Sequence, residues 1–200
     1  MKNISREVVG NALSYEDYRL LTDQLLELGK TTGENHGQAM LHYTQLNVAR
    51  MKRLDKTIRL LEDIQSQLRK NEYPMIWLTL TEAWCGDAAQ ILPVLEKMAQ
   101  ASENAELKLI LRDEHPEIMD AFLTNGGRSI PKLVCLDAET LEELGSWGPR
   151  PAEAQQKAMQ WKEDETISKE EWAENIHKWY ATDKTQQLQY EFEELIGGWK

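Results

Sequence analysis

The chemistry of this sequence centres on one cysteine, Cys85, within the five residues Trp-Cys-Gly-Asp-Ala at 84–88. The apolar run 75–81 predicts a strand, and a helical segment begins at position 88, so Cys85 lies where a strand leads into a helix. Backbone N–H groups and the positive end of a helix dipole favour the thiolate there, and the thiolate attacks disulfides and electrophiles. A site with two redox thiols would need a second cysteine at position 88, which is alanine. The residues therefore predict a redox centre with one thiol.

This stretch resembles the active site of the thioredoxin family, whose motif is Trp-Cys-Gly-Pro-Cys at the same strand-to-helix junction. Pro93 stands eight residues after Cys85, where thioredoxins have the proline that kinks the active-site helix. Ile130-Pro131 resembles the loop in which an X-Pro bond is cis and faces the cysteine. The resemblance covers about residues 72 to 180. It implies that Cys85 is catalytic, that Ile130 and Pro131 bind substrate, and that the active-site environment is formed by Trp84, Gly86, Asp87 and Ala88.

The departures from the family pattern remove its proton-handling groups. Ala88 replaces the second cysteine, and Asp87 replaces the proline of the motif. Thr79 stands where thioredoxins have a buried aspartate, and Leu109 stands where they have the lysine that pairs with it. A complete dithiol reductase cycle is therefore not implied.

Two functions remain open on this evidence, with a third that no residue singles out. The first is a monothiol thiol-disulfide oxidoreductase of cell redox homeostasis. In it Cys85 attacks a disulfide and an external thiol releases the mixed disulfide. The alternative is a non-catalytic thioredoxin-fold module that binds a peptide or protein in the groove of the cis proline by strand-like pairing. Peroxide sensing through a sulfenic acid at Cys85 is the third.

The two cysteines are expected to be free thiols with different roles. Cys135, between Val134 and Leu136 in a predicted strand, is expected to be a core residue, because free cysteines are usually buried and inert. Asp87 has two interpretations. It could raise the pKa of the Cys85 thiol by like-charge repulsion, or it could simply stabilise the first turn of the helix.

Composition excludes several classes of partner. The net charge of −11 disfavours nucleic acid and anionic membranes. We see no secretory signal and no apolar run long enough to span a membrane. Two cysteines are too few for a disulfide scaffold, which favours the cytoplasm. The four histidines show no metal-ligand spacing, so we expect no metal and no cofactor. The expected partner is a protein or a low-molecular-weight thiol or disulfide.

The alternation of predicted strands and helices between residues 71 and 147 is typical of an α/β layer architecture. We expect a thioredoxin-like fold in which a central mixed sheet is flanked by helices, with an N-terminal helical extension and extra C-terminal helices. The predicted strands are 75–81, 107–112, 132–136 and 141–147. The first two should be parallel neighbours, and the third should run antiparallel. Predicted helices are 87–101, 115–124, 152–162, 169–181 and 184–196.

We expect three segments along the chain. Residues 1–71 form the N-terminal extension, with helices at about 15–29 and 38–70, packed on the following domain. Residues 72–182 form the thioredoxin-like domain, and 183–200 form a C-terminal helix. The second helix would extend past the sheet, so residues 38–52 should pack on the first helix, on the C-terminal helices or on a second copy of the chain. The protein is thus expected to be a monomer or a homodimer.

Overall fold

The computed structural model describes residues 4–199. Residues 1–3, at the start of the predicted N-terminal extension, and residue 200, at the end of the predicted C-terminal helix, lie outside the described residues. The first half of the chain contains α1 Arg6–Asn11, α2 Tyr15–Glu27, α3 Gln38–Thr57, α4 Glu62–Lys70, β1 Met75–Thr81 and α5 Gly86–Ala99. The second half contains β2 Ala105–Leu111, α6 Pro116–Met119, β3 Lys132–Asp137, β4 Glu143–Trp147, α7 Ala152–Glu163, α8 Lys169–Asp183 and α9 Gln186–Gly198.

The four strands form one mixed sheet in the order β2-β1-β3-β4. Strand β1 pairs parallel with β2 and antiparallel with β3, and β3 pairs antiparallel with β4. Every residue of β1 is buried, because this central strand is covered on both faces. Strands buried on both faces are near-continuous apolar runs, and 75–81 contains five apolar residues and two threonines. The predicted α/β architecture and strand directions are confirmed.

The predicted helix 38–70 is wrong, because it is two helices separated by extended residues. Helix α3 ends at Thr57, and Ile58 is already extended, with φ −58° and ψ 131°. Gln189 of α9 binds the connection, since its Oε1 accepts from Leu61 N at 2.8 Å and its Nε2 donates to Arg59 O at 3.3 Å. A distant side chain thus satisfies backbone groups that a continuous helix would have paired internally. No glycine or proline marks the break.

The two helices cover different neighbours. Helix α3 packs on α2, one of the neighbours expected for its N-terminal half, and on α5, which was not expected, whereas α4 packs on α9 and α5. Met51 and Leu54 of α3 and Ile64 and Leu68 of α4 are buried at these contacts. The N-terminal helices therefore share one core with the sheet and its helices.

Two further elements differ from the expectation. The short helix α1 was not predicted, because six residues give too little periodicity, although Ser5 caps it by accepting from Val8 N. After it, Leu13 bridges Leu109 at the edge of β2. The predicted helix 115–124 is only one turn, α6, followed by a 3-10 turn at Asp120–Phe122. None of the helices within residues 4–199 has the length and apolar character needed to cross a membrane.

Candidate functional site

Cys85 lies at the junction of β1 and α5, where it is the N-cap residue of α5. Its thiol donates a hydrogen bond to Ile130 O, with Sγ and the oxygen 3.3 Å apart. The Ile130–Pro131 peptide bond is cis, as the resemblance implied. The helix start and the proline loop therefore meet at the sulfur. The predicted helix proline, Pro93, lies inside α5.

The resting thiol is protonated. Cys85 is only 8% exposed, and burial raises the pKa of its thiol to about 12. That value already includes a smaller rise caused by the Asp87 carboxylate, and the opposing effects of the N–H groups of Ala88 and Asp87 and of the charge of Arg150, which lower the pKa. The hydrogen bond to Ile130 O also requires the proton on sulfur. The site thus combines groups that would stabilise a thiolate with burial and one nearby carboxylate, which oppose it.

Asp87 belongs to a buried network that the sequence did not reveal. Its carboxylate accepts two hydrogen bonds from the Arg150 guanidinium, at 2.8 and 2.6 Å, and a third from Tyr180 OH at 2.9 Å. The Asp87 and Arg150 side chains are 11% and 14% exposed. Arg150 also donates to Gln155 and lies over the ring of Trp172. The network joins the first turn of α5 to α7 and α8.

A cleft with a volume of about 500 Å³ opens beside Cys85. Its walls come from α3, α5, α8 and the loops that follow β1, β2 and β4. Five cationic side chains line it, namely Arg50, Arg112, Arg128, Arg150 and Lys169. An apolar and aromatic part is formed by Met40, Tyr43, Trp84, Ile130, Trp172 and Ile176.

Trp84 and Gly86, the two neighbours of Cys85 in the motif, lie against side chains from distant parts of the chain. The Arg112 guanidinium lies 4.8 Å from the centre of the Trp84 ring. A Cβ atom on Gly86 would lie 3.0 Å from His177 Cε1, so glycine allows the imidazole to approach closely. Burial, with a smaller contribution from the charge of Arg50, lowers the pKa of His177 to about 4, so this imidazole is neutral at pH 7.

The N-terminal region holds the loop before Cys85. Asn47 donates to Ala83 O at 2.9 Å, and Thr32 accepts from Ala83 N at 2.8 Å. Glu82 is fully buried and accepts from Asp113 N at 2.9 Å. Burial raises the pKa of the Glu82 carboxyl. The extension therefore positions the candidate site as well as completing the core.

The structure brings most of the predicted site residues to the cleft. Trp84, Cys85, Gly86, Asp87 and Ile130 line it, whereas Ala88 is 1% exposed, and Pro131 is buried at the start of β3.

The remaining candidates lie in the core. Thr79 and Leu109, which replace the family's aspartate and lysine, are register partners in β1 and β2, and both are fully buried. Cys135 is a free, fully buried thiol 3.6 Å from Met75 Sδ, as expected for a core residue. Within residues 4–199, no three side chains of His, Cys, Asp or Glu are grouped so that they could hold a metal ion.

Sequence reasoning missed the residues that reach the cleft from distant elements. These are Arg50 of α3, Arg112, Arg128, Arg150 and, from α8, Lys169, Trp172 and His177. The one available signal was an arginine between two prolines, Pro149 and Pro151, which limits the conformations of that loop. Nothing in the spacing of the others indicated a common site.

The protonated thiol leads to a prediction about pH. Because the pKa of Cys85 is about 12, its alkylation by iodoacetamide should accelerate about tenfold per pH unit, or about a hundredfold from pH 7 to 9. The rate should be measured in the Cys135→Ala variant, so that only one thiol reports. An increase of only about 25-fold between pH 7 and 9, as expected for an ordinary cysteine with a pKa of about 8.5, would contradict this reading of the site.

Comparison with known proteins supplies a family match and a structural likeness. Residues 33–166 match the model of a family described as thioredoxin. No curated protein matches significantly. A crystal structure of a protein of unknown function from Pseudomonas aeruginosa is 18% identical, with a TM-score of 0.60 over 93% of this chain and 98% of that one. An HIV epitope scaffold is 21% identical, with a TM-score of 0.49 over 92% of this chain and 94% of that one.

Proposed function

This chain belongs to the thioredoxin family, and from that premise we propose that it exchanges thiols and disulfides through the single thiol of Cys85. One observation carries the proposal. The Cys85 sulfur lies at the start of α5, 3.3 Å from the carbonyl oxygen of Ile130, and borders an open cleft. A disulfide entering that cleft could reach the sulfur next to the backbone of the proline loop.

The reaction has two displacement steps. First, the Cys85 thiolate attacks one sulfur of a disulfide, so that the bond between the substrate sulfurs breaks, a mixed disulfide with Cys85 forms and one thiolate leaves. Second, an external thiolate attacks the substrate sulfur of the mixed disulfide and regenerates the Cys85 thiolate. An external thiol is needed because position 88 is alanine and Cys135 is buried in β3. A reducing compartment such as the cytoplasm supplies such a thiol.

Deprotonation is the step that limits this reaction. In the resting protein the proton is on the Cys85 sulfur, which donates it in a hydrogen bond to Ile130 O, and Asp87 disfavours a second negative charge nearby. The N–H groups of Asp87 and Ala88 lower the pKa of the thiol and are in place to stabilise the sulfur once it ionises. We therefore expect slow turnover at pH 7 that increases with pH.

The proposal is tested by turnover on a small disulfide. Wild-type protein should transfer the substrate thiol to an excess external thiol for more than one cycle, measured against the uncatalysed exchange at the same pH. The rate should rise between pH 7 and 9 in parallel with the alkylation of Cys85, because both depend on the thiolate. A rate equal to the uncatalysed exchange at every pH would overturn the proposal.

A second candidate function, non-catalytic binding of a peptide or protein, is favoured by the burial and high pKa of the same thiol. Substitution Cys85→Ser separates the two candidates, because serine keeps a hydrogen-bond donor for Ile130 O but forms no disulfide. If the complex between the wild-type protein and a captured partner is stable in the presence of reductant, and the variant binds the same partner, the result supports non-catalytic binding. Capture that needs Cys85 and is reversed by reductant supports thiol exchange.

A further inference from the structure

The charge of the cleft is opposite to the charge of the chain. The whole sequence has 34 acidic and 23 basic residues, excluding histidine. The lining of the cleft nevertheless contains five basic side chains and one carboxylate, that of Asp87. A concave surface lined by one sign of charge raises the local concentration of ligands with the opposite sign. The cleft therefore favours an anion despite the net charge of −11.

Two of the five cations have no acidic partner. Arg150 pairs with Asp87, Arg112 with Asp113 and Arg128 with Asp120, at 2.6 to 2.7 Å. Arg50 and Lys169, in contrast, form no salt bridge with any residue between 4 and 199. These two side chains are thus available to bind a ligand.

Arg50 is held beside Gly86, the residue that follows Cys85. Its Nη1 donates to Asn47 Oδ1 at 2.7 Å and lies 3.8 Å from the point where a Cβ atom on Gly86 would be. Arg50 is half-buried, and burial together with the charge of Arg53 lowers its pKa. A half-buried guanidinium is only partly hydrated, and an anion that binds it gains a charge-assisted hydrogen bond. Its side chain thus has the position and the charge of an anion-binding group next to Cys85.

We infer that the substrate class is a small disulfide whose flanking groups carry carboxylates, bound through Arg50 and Lys169 with its sulfurs beside Cys85. The inference rests on the proposed function, since it names the substrate of that reaction. Small-molecule sites have volumes of about 300–1,000 Å³, and this cleft has about 500 Å³. Cys85 is only 8% exposed, which favours a small molecule over a bulky partner. The aromatic wall of Trp84 and Trp172 would contact its apolar parts.

Binding can be measured without chemistry in the Cys85→Ser variant, with oxidised glutathione as a probe that carries four carboxylates. Isothermal titration should show binding that weakens as salt is added. Adding Arg50→Gln should weaken binding about tenfold or more, because a charge-assisted hydrogen bond is lost, and Arg50→Lys should restore part of it. Arg53→Gln is the matched control, since it removes the same charge from the same helix, outside the lining of this cleft. It should weaken binding less than twofold.

Three results would overturn the anionic substrate class. They are an absence of binding, equal losses in the Arg50→Gln and Arg53→Gln variants, or equally tight binding of cystamine, a disulfide with two positive charges. The proposed function is tested separately with 2-hydroxyethyl disulfide, which is uncharged, on the wild-type protein. If an adduct forms on Cys85 but oxidised glutathione does not bind, the anionic substrate class is contradicted and the proposed thiol-disulfide exchange is supported. Glutathione binding without an adduct from either disulfide overturns the function and, with it, the role of the anion as substrate.

Discussion

The substitution Asp87→Ala should destabilise the protein and activate its thiol at the same time. Removal of the carboxylate leaves the Arg150 guanidinium, 14% exposed, without its ion-pair partner, and Tyr180 OH without its acceptor. Breaking a buried ion pair in this way costs about 3–5 kcal/mol. Urea denaturation should report that loss in the free energy of unfolding. Asp120→Ala breaks an equally bidentate pair with Arg128, but that pair is exposed, so stability should change little.

The same substitution should lower the pKa of Cys85. Asp87 is a negative charge that raises this pKa, and Arg150 is a positive charge that lowers it. When Asp87 is lost, repulsion disappears and the guanidinium is no longer neutralised, so both changes favour the thiolate. Alkylation at pH 7 should therefore be faster in folded Asp87→Ala than in wild type. Asp87→Asn, which removes the charge but keeps an acceptor oxygen, should give faster alkylation with a smaller loss of stability. Unchanged alkylation in both variants would show that Asp87 does not control the thiol.

The substitution Cys85→Ser should abolish disulfide exchange, whereas Cys135→Ala should leave it intact. Only Cys85 borders the cleft, while Cys135 is fully buried in β3 with its sulfur against Met75. Turnover of the serine variant should fall to the uncatalysed rate, because a hydroxyl cannot form the mixed disulfide. Cys135→Ala should lose some stability, since it leaves a small core cavity, but should retain the exchange rate once folded. A loss of exchange in Cys135→Ala at full folding would mean that the second thiol takes part.

The central part of the fold could be predicted because its signals are local. The run at 75–81 is fully buried and consists of five apolar residues and two threonines, and Cys85 and Pro93 lie on either side of the helix start. The loop at Ile130-Pro131 had a recognisable counterpart in a known family. Strand directions followed from the same resemblance. Each of these features is encoded within a few neighbouring residues.

The break between α3 and α4 could not be predicted, because its cause is 128 residues away. The side chain of Gln189 binds Leu61 N, and no local residue signals the end of the helix. For the same reason the Arg150–Asp87 pair and the approach of His177 to Gly86 were invisible in the sequence. These contacts depend on how the C-terminal helices pack, so the pattern of apolar residues within a single segment does not predict them.

The most direct test of the account is the intact mass of the wild-type protein after exposure to a small disulfide at pH 9, followed by an excess of external thiol. We predict a mass increase of one substrate half, located on Cys85 by peptide mapping, and its complete removal by the thiol. An unmodified protein, or an adduct on Cys135 alone, would contradict the claim that Cys85 carries out thiol-disulfide exchange.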